Sequence, residues 1–203
     1  RLREALPVIG TSGTVQALNR VDRRVRRITR ALGPVRELDV ALVLLAELGS
    51  RGAASPAAIG LMREAVIAER QRRRHDMLAE ITPSRLDKLR KRLVDVAAPE
   101  THAPASDALA EASVQARKRA HRLKAAIDRA GGIYLAERLH QVRIAAKKLR
   151  YAIEIQRELM HSRSRLHLGR LKTQQDLLGR MHDLEMLIDR ARAVQAAIPA
   201  RNR

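Results

Sequence analysis

Leu139-His140-Gln141-Val142-Arg143-Ile144-Ala145-Ala146-Lys147-Lys148-Leu149-Arg150-Tyr151 carries two stripes when wound at 3.6 residues per turn. Leu139, Val142, Ala146, Leu149 and Ile153 fall at the i, i+3, i+7, i+10, i+14 spacing that buries one helix face. One residue along, His140, Arg143, Lys147 and Arg150 repeat that spacing with cationic or protonatable groups. A helix that only stays soluble mixes its signs, because i,i+4 acid–base pairs are mildly stabilising and like charges repel. This row holds no acid until Glu154. The pattern predicts a helix with one face in a core and a basic line beside it that meets an anion.

The same periodicity runs through the chain. Arg1–Val8 reads as a helix tail ending near Pro7 and Gly10. Thr14–Leu32 reads as a second helix, with Leu18, Val21, Val25, Ile28 and Leu32 on one face. Gly33-Pro34 predicts a stop and a new start, since Gly suits a helix C-terminus and Pro a first turn. Val35–Leu48 is strongly apolar and is expected to be central. Gly49–Pro56 is expected to turn, followed by helices over Ala57–Glu80 and from Pro83 to about Ala97. Pro99–Pro104 is the linker candidate. Ser106–Ala130 is expected to end at Gly131-Gly132, Tyr134 to about Leu159 to carry the two stripes, and Arg165–Leu178 and Met181–Ala197 to flank a break at Gly179. No segment alternates like a strand, so the fold class is all-α.

Composition bounds the rest. The 203 residues are 45% hydrophobic, enough to fold around a core, with two Tyr and no Phe or Trp. Packing is therefore aliphatic. The charge is +19, from 41 Lys+Arg against 22 Asp+Glu, and only seven of the 41 are Lys. Arg offers a planar donor fork matched to phosphate oxygens, although GC-rich codon usage also raises its share. The charge implies a polyanion: nucleic acid, an anionic membrane surface or a phosphate polymer. With no Cys there is neither disulfide, thiolate metal site nor thiol nucleophile. No apolar run has transmembrane length and no signal peptide is evident, so the default location is cytoplasmic. The chain begins at Arg1 without Met, which suggests trimming.

The two halves, about 1–98 and 104–203, look alike. Leu32-Gly33-Pro34-Val35-Arg36-Glu37-Leu38-Asp39-Val40 aligns with Leu178-Gly179-Arg180-Met181-His182-Asp183-Leu184-Glu185-Met186. Arg1-Leu2-Arg3-Glu4-Ala5-Leu6 aligns with Lys148-Leu149-Arg150-Tyr151-Ala152-Ile153. The offsets of 146 and 147 differ by one, as one duplication with a small indel requires. The counterpart of His140 would precede Arg1, so the first copy of the basic helix reads as truncated.

His140-x-x-Arg143-x-x-x-Lys147-x-x-Arg150-Tyr151, followed by Leu178-Gly179-x-x-x-Asp183-Leu184, resembles the second half of the CHAD domain, the conserved histidine α-helical domain. Leu32-Gly33-Pro34-Val35-Arg36-Glu37-Leu38-Asp39 resembles the matching piece of its first half. The resemblance spans essentially the whole chain as a single domain. It implies two pseudo-symmetric four-helix bundles of long antiparallel helices that form a central basic groove binding inorganic polyphosphate. The first-half histidine and its nearby arginine are missing, and His182 stands where an amide or similar residue is expected.

The chemistry suits that ligand. Polyphosphate carries about one charge per phosphate and has no base to stack on, so a binder needs a line of donors and weakens steeply with salt. Arg143 and Arg150 can grip oxygens bidentately, Lys147 adds charge and His140 can donate from its ring nitrogens. Lys148 joins this group, and Arg1 and Arg3 are the duplicate equivalents of Lys148 and Arg150. Arg20, Arg24 and Arg27 form a cationic row on the second helix, with Arg170 and Lys172 matching the positions of Arg24 and Arg26. Plainer readings stand beside these: a solvated face for Arg20–Arg30, a structural hydrogen-bonding role for His140 and a surface run for Arg70–Arg74. Arg36 and Asp39 read as an ion pair at a helix start, and Glu37 and Asp183 as acids favoured at a helix N-terminus.

Catalysis finds little support. There is no Gly-rich phosphate loop, HExxH or GxSxG. His161 and His167 do not share a helix face, and helix starts explain the acids beside His182, so no metal site and no cofactor is expected. Phosphate hydrolysis wants clustered carboxylates holding metal ions. The expected activity is non-catalytic binding of polyphosphate, possible divalent cations accompanying the polymer, with localisation at cytoplasmic polyphosphate granules. A nucleic-acid- or ribosome-associated protein remains an alternative, although single-strand binding usually relies on aromatic stacking. So does a helical scaffold for an acidic partner. The oligomeric state is open.

Overall fold

The structure, a computed structural model, describes residues 2–9, 15–97, 105–132, 135–160 and 166–198. Among these the chain forms seven α-helices and no strand: α1 Leu2–Ile9, α2 Val15–Ser50, α3 Pro56–Glu80, α4 Pro83–Val96, α5 Ala105–Ala130, α6 Ala136–Leu159 and α7 Leu166–Ala197. None of them is long and apolar enough to cross a membrane. The linker candidate Pro99–Pro104, the expected helix start at Tyr134 and residue Arg1 lie outside the described residues.

The joints that hold are those with a local cause. α2 ends at Ser50, where Gly52 takes φ +63° and the Ala53 amide donates to the Leu48 carbonyl at 3.0 Å. Ser55 then caps α3, its Oγ accepting from the Ala58 amide at 3.2 Å, with Pro56 in the first turn. α5 stops at Gly131 with φ +62°, a left-handed conformation that glycine adopts without steric cost.

Two expected breaks are absent. α2 runs unbroken through Gly33-Pro34, and α7 runs unbroken through Gly179. A proline inside a helix loses a donor and crowds the preceding turn, at about 3 kcal/mol. Immediately after it, however, Val35, Leu38, Leu44 and Leu45 are all buried. At roughly 1.5–3 kcal/mol each, their burial outweighs that cost. Glu37 and Asp183 therefore sit inside helices and cap nothing. The expected Arg36–Asp39 pair also gives way: the Asp39 carboxylate accepts from Arg70 Nε on α3 at 2.5 Å.

The chain divides into two compact units. The first comprises residues 1–25 and 87–179, the second 26–86 and 180–203, so each draws on both halves of the sequence. In the first, Leu6, Val21 and Val96 form a core with Leu18, Val25, Leu89 and Leu93, and Val8 packs on Ala108 and Ala112 beside Ile155 and Leu159. α5 and α6 lie antiparallel, pinned by Gln156 Nε2 donating to Ser113 Oγ at 3.0 Å. Small residues make their approach close: Ala112, Ala116 and Ala126 on α5 and Ala146 and Ala152 on α6 are all buried. The core of the second unit is Leu38, Ala41, Leu44, Leu45, Met62, Val66 and Leu187. It is wholly aliphatic, as the composition requires.

Candidate anion-binding site

The two stripes of α6 separate only in part, because Leu139, Val142 and Ile153 of the apolar stripe are half-buried. Ala146 and Leu149 are buried, with Ala152 beside them. Of the basic line, Lys147 is exposed, whereas His140, Arg143 and Arg150 are half-buried on the flank of that face. The flank lies along the first part of α7. A Cβ at Gly179 would stand 3.8 Å from Arg143 Nε, so this guanidinium lies against the helix backbone there. One α6 turn pair further on, Arg150 Nε donates to Gln175 Oε1 at 2.8 Å.

Arg150 is the most fixed member of the line. Its Nη1 also pairs with Glu154, the acid that ends the basic run, and its Cζ stands 4.7 Å from the centroid of the Tyr151 ring. Glu154 thus neutralises part of the line. The remaining guanidinium nitrogen is still a donor, held in one place by two neighbours. Arg143, by contrast, forms no ion pair with another described residue.

A second cluster lies where α1, α5 and α6 meet. Glu4 is 7% exposed, and Arg119 of α5 approaches its Oε2 through Nε at 2.8 Å and Nη2 at 2.7 Å. Lys148 of α6 lies in the field of this pair. Burial lowers its pKa from the ordinary lysine value, and Arg119, Arg3 and Arg122 lower it further, with Glu4 pulling the other way. One carboxylate therefore stands among four cations. Arg119 and Arg122 were not among the residues singled out from sequence. Their signal was the run Arg117-Lys118-Arg119-Ala120-His121-Arg122-Leu123-Lys124, which meets no acid before Asp128.

The other candidates divide. Arg3 donates to Asp22 Oδ1 at 3.0 Å. Arg20, Arg170 and Lys172 are exposed and Arg24 half-buried, and none of the four forms an ion pair with another described residue. Arg27 is the exception in place as well as in charge. It belongs to the second unit and pairs with Glu80, which Arg85 also contacts at 3.0 Å. These bonds hold the Glu80 carboxyl below the ordinary carboxylate value, and the bond from Arg27 raises that guanidinium in turn. The cationic row of α2 is thus split between units after Val25. Arg70 and Arg73, in the basic run of α3, pair with Asp39 and Glu69.

Among the described residues no group of three or more His, Asp or Glu is arranged to hold a metal ion. His161 lies outside those residues. The family model described as the CHAD domain matches residues 1–192 of this chain. No curated relative and no solved structure matches it.

Proposed function

This chain belongs to the CHAD domain family, and from that premise we propose that it binds inorganic polyphosphate without catalysis, through the cationic side chains of the first unit. The observation that carries the proposal is the line on α6. Arg143, Lys147 and Arg150 follow one another at one helix turn's spacing, with Arg150 held by Gln175 and Glu154. A flexible polyanion can track such a line oxygen by oxygen, and guanidiniums can grip it two oxygens at a time. Lys148, Arg3, Arg20, Arg24, Arg170 and Lys172 would extend the donor set. Arg27, engaged by Glu80, would contribute least.

Binding alone is the reading favoured by the state of the acids. Glu4, Asp22, Asp39, Glu47, Glu69, Glu80 and Glu154 are each engaged by arginine. They counterbalance cations and do not form the carboxylate cluster that metal-assisted phosphate hydrolysis needs. Localisation to polyphosphate granules, with divalent cations accompanying the polymer, is the biological form of the proposal.

The test is a competition. Labelled long-chain polyphosphate is titrated with the protein over increasing salt, with duplex DNA and RNA as competitors. The expected result is preference for polyphosphate at equal phosphate concentration and a linear fall of log affinity with log salt. The R143A/K147A/R150A variant should weaken binding and flatten the slope by about two to three phosphate contacts. Displacement by nucleic acid at equal phosphate, or unchanged affinity in the variant with retained helicity, would overturn the assignment.

A further inference from the structure

Two chemically unlike partners hold Arg150. Its Nε donates to the amide oxygen of Gln175 on α7 at 2.8 Å, and its Nη1 pairs with Glu154, one turn along α6. The Tyr151 ring, with its centroid 4.7 Å from Cζ, restrains the guanidinium further. Nη2 keeps both of its N–H bonds free of any partner among the described residues. The pair with Glu154 is shielded, at side-chain exposures of 19% and 22%, unlike the exposed i,i+4 pair of Lys124 and Asp128. Glu154 is therefore a strong internal competitor for any anion offered to Arg150. A carboxylate can take a guanidinium through two nitrogens at once, yet this one meets Nη1 alone.

Gln175 bears a mark of being kept for its oxygen. An arginine Nε only donates, so the amide must turn Oε1 towards it and Nε2 away. Nε2 is then buried with no hydrogen-bond partner among the described residues. An unpaired buried donor costs stability, and an apolar side chain in the same place would avoid that cost.

On the polyphosphate reading above, we infer that Gln175 is a positioning residue for the basic line of α6. It holds Arg150 by Nε, so that Glu154 takes one nitrogen only and Nη2 stays open to a phosphoryl oxygen. The amide suits this task because it accepts a hydrogen bond and carries no charge. A carboxylate in its place would neutralise the guanidinium that the polymer needs. An apolar residue would release Nε, and the guanidinium would turn to meet Glu154 with two nitrogens, the arrangement that fork geometry favours. Gln175 acts through Arg150 and leaves the polymer to it.

The experiment titrates long-chain polyphosphate with the wild type, Q175L, E154Q and the double variant, each checked for helicity and melting temperature. Q175L should bind about tenfold more weakly, the worth of a hydrogen bond to a charged group, and its salt slope should flatten by about one phosphate contact. E154Q should bind more tightly than the wild type, and adding it to Q175L should recover the loss, because the competitor is gone. A merely structural defect at Gln175 would not be repaired from Glu154. In an R150A background, Q175L should change nothing further. A second measurement needs no ligand: solvent exchange of the Arg150 Nε–H, followed by NMR, should be slow in the wild type and faster in Q175L. Full affinity in Q175L, a loss that E154Q leaves in place, or unchanged Nε–H exchange would each overturn the positioning role. A wild-type protein that does not bind polyphosphate would instead overturn the reading above, with the exchange measurement still deciding whether Gln175 holds Arg150.

Discussion

Glu4→Ala removes the acid of α1 that pairs with Arg119 of α5. The pair it breaks is buried, with side-chain exposures of 13% for Arg119 and 9% for Glu4. Two guanidinium nitrogens converge on one carboxylate oxygen at 2.8 and 2.7 Å, so the charge of Arg119 is matched where water scarcely reaches. Deleting one partner of such a pair costs about 3–5 kcal/mol, because the other charge stays desolvated. The Arg3–Asp22 pair next to it, exposed at 39% and 23%, sets the contrast: Asp22→Ala should cost roughly 0.2–1 kcal/mol. At roughly 2–4 °C per kcal/mol for a chain of this size, Glu4→Ala should lower the melting temperature by roughly 6–20 °C. Circular dichroism at the helix band, in thermal and urea ramps, measures both effects. The double variant Glu4→Leu with Arg119→Met removes both charges and keeps apolar bulk, so it should recover much of the loss. A cost below about 1 kcal/mol for Glu4→Ala, or a double variant as damaged as the two singles combined, would refute the picture of a coupled buried pair.

Pro34→Ala should raise the melting temperature and leave or increase the helical signal, since α2 passes through this position and Pro costs about 3 kcal/mol more than Ala in a helix interior. A loss of stability would mean that α2 needs the proline's geometry. The Glu47 and Glu80 carboxyls are both held below their ordinary value of 4.5, Glu47 chiefly by the bond from Arg180 and Glu80 chiefly by the bond from Arg27. Their contribution is therefore full above the unfolded-state value and is lost as pH falls through the lower folded-state value. The urea midpoint should decline on acidification from about pH 6 to about pH 3, and the E47Q/E80Q variant should decline less. Identical acid limbs in the two proteins would assign the sensitivity to other carboxylates.

What the sequence displays openly is whatever has a local cause. The spacing along α6, the turn over Gly49–Pro56 and the helix end at Gly131 depend on neighbours within a turn or two, and each is read along the chain. Gly33-Pro34 and Gly179 carry equally local stop signals, yet the helices continue. There the deciding energy is the burial of Leu38, Leu44 and Leu45 against α3 and of Leu187 in the same core, which no neighbouring residue announces. Charge behaves likewise. The cationic lines on α2 and α6 are visible as spacing, but their partners are not. Glu80 lies 53 residues from Arg27, and Glu4 lies 115 residues from Arg119. Arg119 itself was hidden because its importance comes from a carboxylate at the other end of the chain.

Neither compact unit is a continuous stretch of chain, and this has a consequence for how the protein is made. A ribosome delivers Leu38, Leu44, Leu45, Met62 and Val66 early, but Leu187, which completes their core, arrives more than a hundred residues later. Over that interval the nascent helices expose an aliphatic surface whose final cover has not yet been synthesised. Long-range closure of this kind is slow, and it leaves apolar surface open to wrong partners. The arginines strung along the same helices give neighbouring nascent chains like charge, which opposes their association during that interval.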